Sequence, residues 1–401
     1  MTTATRANLG DIRDEQRIHD LVQGIQIPTS SLFTPQPNPE PLRPRYRQAM
    51  PAVHKLLQLQ IDESSIIVLP TSVLKYAFTP EPIHYQSLGW TTKADNDCGR
   101  VTGDMSHTTW ATSLNGRTPE AKAEVRRKIV DLWGDINLPD LHAIVADILA
   151  QADKHGWKNI SLYKKDVKAA FHRLLFHPDF VGLTAFALDE LHTILHLVGN
   201  FGWTGTPFAW DVVGRIMLAA ALHKITGTLR LYVDDFFGAC LTAYLSENNA
   251  AVDDVIRTLL GEEALAPKKD LSGRVLVILG WLFDLDKRTV SISENNLLKT
   301  LGAFMDIETA AAKSTPVSLH QLERAASLAT RYSVLCRPMS AFTSAMYKDI
   351  AGFKGNTTAT HHVSNNTRVD IELWRAYLVL VGTQPHTYGR PLESFRERPP
   401  A

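Results

Sequence analysis

The sequence predicts an α+β fold, and three observations carry that expectation. Between residues 126 and 285, helical and strand patterns alternate. Two apolar runs, Leu229-Arg230-Leu231 and Phe236-Phe237-Gly238-Ala239-Cys240, flank Tyr232-Val233-Asp234-Asp235, the pattern of a tight β-hairpin. After a second short hairpin at 280–292, residues up to about 350 read as helices.

Taken in order, residues 1–50 are polar and proline-rich, which predicts an extended, mostly disordered leader. Residues 51–150 begin with short apolar runs between loops, among them Ser65-Ile66-Ile67-Val68-Leu69. Leu141 to Leu149 has helical spacing, and Ile160-Ser161-Leu162-Tyr163 reads as a strand running into Asp166. Ser318 with Gln321 forms a capping box that starts a helix reaching Leu335, before Pro338. One helical stretch around Trp374 to Val381 follows, and then a tail rich in Pro and Arg. The resulting divisions are 1–50, 51–150, 151–285, 286–350 and 351–401.

Composition excludes some classes. Lys+Arg and Asp+Glu balance at 42 each, so no global basic charge announces nucleic acid, although a local basic groove suffices to bind it. Cys98, Cys240 and Cys336 make neither a disulfide framework nor a CxxC pair, which favours a reducing compartment. No apolar run reaches the roughly 18 residues of a membrane span and no signal peptide opens the chain. The expectation is an intracellular protein, cytoplasmic or nuclear, with no membrane partner.

Two adjacent carboxylates at a tight turn repel each other unless a cation neutralises them. Mg²⁺ is suited to that place, because it takes a few carboxylates plus substrate phosphates. Asp234-Asp235 therefore reads as half of a two-metal phosphoryl-transfer site. Asp253-Asp254 is an internal control. Val252, Val255, Ile256 and Leu259 around it have helical spacing, which puts that pair on a solvated face, with Ser246 as the N-cap. A two-metal site needs a further carboxylate, and Asp166 at the end of an apolar strand is the candidate; taken alone it also suits a helix N-cap.

These residues carry a family resemblance. Asp166-Val167-Lys168-Ala169-Ala170-Phe171 resembles motif A of reverse transcriptases. Phe201-Gly202-Trp203-Thr204-Gly205-Thr206-Pro207-Phe208 resembles motif B, with Phe201 where a glutamine is common. Tyr232-Val233-Asp234-Asp235 matches motif C, Ala266-Pro267-Lys268-Lys269 resembles motif D, and Leu279-Gly280-Trp281 resembles the motif E primer grip. Upstream, Cys98 to Ser106 followed by Ser113-Leu114-Asn115 resembles the segment that holds the incoming triphosphate, through Arg100; Arg126 to Asp131 is a rival match.

The resemblance implies a right-hand polymerase fold. Its parts would be fingers over 51–150, a palm of ferredoxin-like antiparallel sheet plus helices over 151–285, and a helical thumb over 286–350. Residues 351–401 would form a connection segment and tail. It implies template-directed DNA synthesis on RNA or DNA, with a primer and deoxynucleoside triphosphates as partners. Two Mg²⁺ ions, with Mn²⁺ as an alternative, would be held by Asp166, Asp234 and Asp235. Phe171 would exclude a 2′-hydroxyl, with Val167 and Tyr232 beside it, and Gly202 would let backbone approach the nascent base pair. Lys268 or Lys269 would serve the pyrophosphate; Lys164, Lys165 and Lys168 could track phosphates. No Asp-Ser/Thr-Gly triplet, zinc knuckle or ribonuclease H carboxylate set accompanies these motifs, so the chain reads as the polymerase portion of a retrotransposon. It is more similar to the tyrosine-recombinase (DIRS-like) kind than to retroviruses. The rivals are an RNA-dependent RNA polymerase and a degenerate protein that only binds nucleic acid.

Overall fold

A computed structural model of the chain describes residues 12–39, 47, 49–77, 83–93, 96–106, 113–356 and 358–396. Strands are numbered in chain order: β1 Ile66–Pro70, β2 Tyr85–Lys93, β3 Asn96–Asp104, β4 Ile160–Asp166, β5 Ala185–Ala187, β6 His192–His196, β7 Arg230–Tyr232, β8 Asp235–Leu241, β9 Leu271–Gly273, β10 Val275–Ile278, β11 Trp281–Asp284, β12 Thr289–Ile292, β13 Val317–Ser318, β14 Thr360–His361 and β15 Arg390–Pro391. They form an N-terminal sheet of order β1-β6-β5-β2-β3, a central antiparallel sheet of order β7-β8-β4-β9, a third sheet of order β10-β11-β12-β15, and the pair β13-β14.

The central sheet separates two cores, and strand alternation explains how. Ile160 and Leu162 of β4, with their β8 neighbours Phe237 and Ala239, face the helix Leu141–His155 and the core of the C-terminal helices. Tyr163, Phe236 and Cys240 point the other way, into the core shared with the helices Thr206–Leu222 and Leu245–Leu260. The helix Leu141–His155 starts where the Asp140 side chain accepts the Ala143 N–H (2.8 Å) and ends at Gly156, whose φ of 81° closes the last turn. The capping box of Ser318 and Gln321 is present in both halves; its helix ends at Tyr332, and Pro338 sits in a following 3-10 turn rather than at the stop.

Two expectations need correction. The leader is not uniformly extended: Ile12–Gln23 is a helix, and Ile25 and Ile27 are buried in the core. Ile25 bridges to Phe176, donating to the Leu175 carbonyl and accepting from His177 N. Ser246, expected as an N-cap, lies inside the first turn of its helix rather than capping it. Among the described residues no helix is long and apolar enough to cross a membrane.

Candidate active site

The register of the central sheet assembles the acidic residues. Asp166, last in β4, is the cross-strand partner of Asp235, first in β8. Opposed antiparallel residues lie about 4.5–5.5 Å apart at Cα, with side chains on the same face. Asp234 occupies the two-residue turn between Tyr232 and Asp235, and its carbonyl accepts the Val167 N–H at 2.9 Å. The three acidic residues therefore meet at one end of one sheet. Val233 in that turn has φ +56°, a region β-branched residues avoid. Its carbonyl accepts the Trp210 indole N–H at 2.7 Å, which ties the strained turn to the helix behind it.

The electrostatics of these carboxyls is set by burial. Asp234 and Asp235 are both pushed above the usual carboxylate range, chiefly by desolvation, with the neighbouring negative charges adding to it. Lys164 and Lys269 oppose the shift. Asp166 is 7% exposed, and the Lys269 ammonium donates to its Oδ2 at 2.7 Å. Lys269 ends the turn Pro267–Lys269, and Lys268 beside it is exposed.

Carboxylate oxygens are the hard donors that Mg²⁺ takes; it binds one or two protein carboxylates and completes its shell with water and phosphate. Among the described residues no group of three or more His, Cys, Asp or Glu side chains is placed to hold a metal ion, so the fit rests on donor type and not on a formed cage. The Lys269 ammonium on Asp166 shows that this end of the sheet accommodates a positive charge. The donor type, carboxylate oxygen, fits the ion.

The other candidates fall around this centre. Val167 is buried and bridges to Leu265, while Lys168 N donates to the Ala264 carbonyl, so the Asp166 segment is stitched to the one carrying Lys268 and Lys269. Phe171 is 7% exposed; the ring of Phe201, 77% exposed, lies 4.8 Å from it and presents the outer face. At Gly202 a Cβ would lie 2.3 Å from the Gly103 carbonyl oxygen, so close packing against β3 already requires glycine there. Tyr232 pairs with Asp235 and is partly exposed. Arg100 pairs with Thr91 in the β2–β3 ribbon, and its side chain lies outside the described residues. The rival Arg126 lies on the helix Pro119–Trp133, with its guanidinium 5.4 Å from the Phe208 ring.

Leu279 and Gly280 are the two turn residues between β10 and β11, with φ +50° and +80°, as a type I′ hairpin requires. The Leu279 carbonyl accepts from Arg331 at 2.7 Å, and the same guanidinium lies 5.6 Å from the buried Trp281 ring. This turn belongs to the third sheet, not the one holding the carboxylates.

Sequence reading missed two features. Asn115 clamps the Gly202 turn: its Nδ2 donates to the Gly202 carbonyl (2.8 Å) and its Oδ1 accepts the Thr204 N–H (2.8 Å). Lys165, placed above among phosphate-tracking lysines, is 3% exposed and donates at 2.7 Å to both Asp253 and Asp270. It cannot reach a phosphate. The parity of β4 could have shown this, since Lys165 must face opposite to Asp166.

No protein-family model matches the chain. No curated protein matches it either. Among solved structures it is similar to the foamy viral protease-reverse transcriptase dRH in complex with double-stranded DNA, at 14% identity and a TM-score of 0.55, covering 92% of this chain and 58% of that one. It is also similar to the foamy viral protease-reverse transcriptase in complex with double-stranded DNA, at 14% identity and a TM-score of 0.53, covering 94% of this chain and 70% of that one. The chain thus spans 58% of the length of the first of these. The fold is reverse-transcriptase-like.

Proposed function

We propose that this chain is a template-directed DNA polymerase of the reverse transcriptase kind, extending a primer on an RNA or DNA template with deoxynucleoside triphosphates. The observation that carries the reading is the register that sets Asp166 opposite Asp235, beside Asp234, at the end of the central sheet. The fold's likeness to two reverse transcriptases whose structures hold double-stranded DNA supports it. On this reading 51–150 form fingers, 151–285 a palm and 286–350 a thumb, and the source is a retrotransposon of the tyrosine-recombinase kind.

Asp166 and Asp234, assisted by Asp235, would hold two Mg²⁺ or Mn²⁺ ions, which when bound activate the primer 3′-hydroxyl and steady the leaving pyrophosphate. The protein's own groups do the rest. Burial raises the pKa of Asp234 and Asp235, so their two adjacent negative charges are costly and cation binding is favoured there. Lys269, and Lys268 beside it, supply positive charge or a proton to the pyrophosphate. Phe171, with Phe201 over it, crowds the sugar and excludes a 2′-hydroxyl. Val167 and Tyr232 border that space, and Arg100 holds the triphosphate. Leu279, Gly280 and Trp281 position primer backbone, the turn being held by Arg331.

Primer extension on poly(rA)/oligo(dT) with Mg²⁺ tests the reading. The wild type incorporates deoxynucleotides and Asp234→Asn does not; Phe171→Val raises the ratio of ribonucleotide to deoxynucleotide incorporation. Equal signals from wild type and Asp234→Asn overturn the assignment, and a product made only from ribonucleotides indicates an RNA polymerase instead.

A further inference from the structure

The segment after the 3-10 turn Pro267–Lys269 carries charges that alternate in sign against β4. Strand β9 pairs antiparallel with β4, Leu271 opposite Lys164 and Gly273 opposite Leu162. Continuing that register places Asp270 opposite Lys165 and Lys269 opposite Asp166. Both cross-strand ion pairs are formed, each at 2.7 Å. They lie on opposite faces of the strand and differ in kind. The Lys165 side chain is 4% exposed and shared between Asp270 and Asp253, so it is locked in place. The Lys269 side chain is 62% exposed and pairs with Asp166, so its ammonium can swing away from the carboxylate it covers. Its backbone is held nevertheless, by the bond from Lys269 N to the Ala266 carbonyl (2.8 Å) and by Asp270 next to it.

Resting on the polymerase reading, we propose that Lys269 is the resident counter-ion of Asp166. Its ammonium occupies the cation position until a divalent ion takes that place, and is thereby released toward the phosphates of the substrate. Lys165, through Asp270, is the positioning residue that keeps Lys269 within reach. The arrangement answers a physical need, because a carboxylate as buried as Asp166, with Asp234 and Asp235 alongside, is costly to leave uncompensated in the metal-free protein.

The test is Mg²⁺ binding by the full-length chain without nucleic acid, read by calorimetry and by the Mg²⁺-dependent rise in Tm. In Lys269→Met the half-saturating Mg²⁺ concentration falls about three- to tenfold, the effect of removing one partly buried competing pair. The metal-free Tm of this variant falls as well. In Lys269→Arg the half-saturating concentration rises, because the planar guanidinium fork grips a carboxylate with two bonds. An unchanged or raised Mg²⁺ requirement in Lys269→Met, in a protein whose Mg²⁺ response is lost on Asp166→Asn, overturns this proposal and leaves the polymerase reading standing. A wild type with no Mg²⁺ response overturns both.

Discussion

Asp234-Asp235 and Asp253-Asp254 are the same dipeptide in two settings, and the setting decides the chemistry. The first lies in a strained hairpin turn at a sheet end, partly buried, with a third carboxylate across the strand and burial raising both pKa values. The second lies on the helix Leu245–Leu260, where each acid pairs with a lysine: Lys165, shared with Asp270, donates to Asp253, and Lys224 donates to Asp254, whose pKa is lowered chiefly by that hydrogen bond. The helical pair is electrically satisfied within the protein; the hairpin pair is raised in pKa by burial, which is why the proposed function places its cations there. Asp253 also differs from the solvated residue expected of it, because it neutralises a lysine buried in the sheet.

Substitutions at the two pairs should therefore separate widely. The largest effect is on synthesis: Asp234→Asn lowers primer extension by about a thousandfold or more, the scale of losing a ligand of a phosphoryl-transfer site, while Asp254→Asn leaves it unchanged. Equal losses would erase the distinction. Next in size is Lys165→Met, which strips Asp253 and Asp270 of a shared buried partner. It should cost roughly 2–4 kcal/mol of stability by chemical denaturation. A loss below 0.5 kcal/mol would mean that the triad carries no structural weight.

A smaller effect has the opposite sign. The folded-state pKa of Asp235 is raised, so its stabilising contribution is greatest below the unfolded carboxylate value of about 4 and is lost as pH rises through the folded value. Asp235→Asn removes that penalty: metal-free Tm should exceed wild type at pH 7, and the gain should vanish near pH 4. A gain that persists at pH 4 would place the cause elsewhere. The smallest change is Asp254→Asn, within about 0.5 kcal/mol of wild-type stability, because its ion pair with Lys224 is solvent-exposed.

Much of this was legible in the sequence, and the reason is locality. The strand ending at Asp166, the hairpin at Asp234 and the capping box at Ser318 are written in patterns a few residues long, and all are present. What was not legible depends on chain segments far apart. Ile25 enters the core through Phe176, and no spacing within a proline-rich leader announces that partner. Asn115 meets Gly202 across 87 residues. Lys165 looked like one more basic residue beside Lys164, because its function rests on Asp253 and Asp270, which only folding brings near. At Gly202, expected to let backbone approach the nascent base pair, the fold makes its own demand for glycine, because the Gly103 carbonyl fills the space a side chain would need.

The central claim is that Asp166, Asp234 and Asp235 form one cation site. Crystals of the chain with primer–template and deoxynucleotide, soaked in Mn²⁺, test it through the anomalous difference map. The account predicts manganese peaks within about 2.0–2.3 Å of carboxylate oxygens of Asp166 and Asp234. A bound nucleotide with no peak between those two side chains, or manganese held only at Asp253 and Asp254, would contradict it.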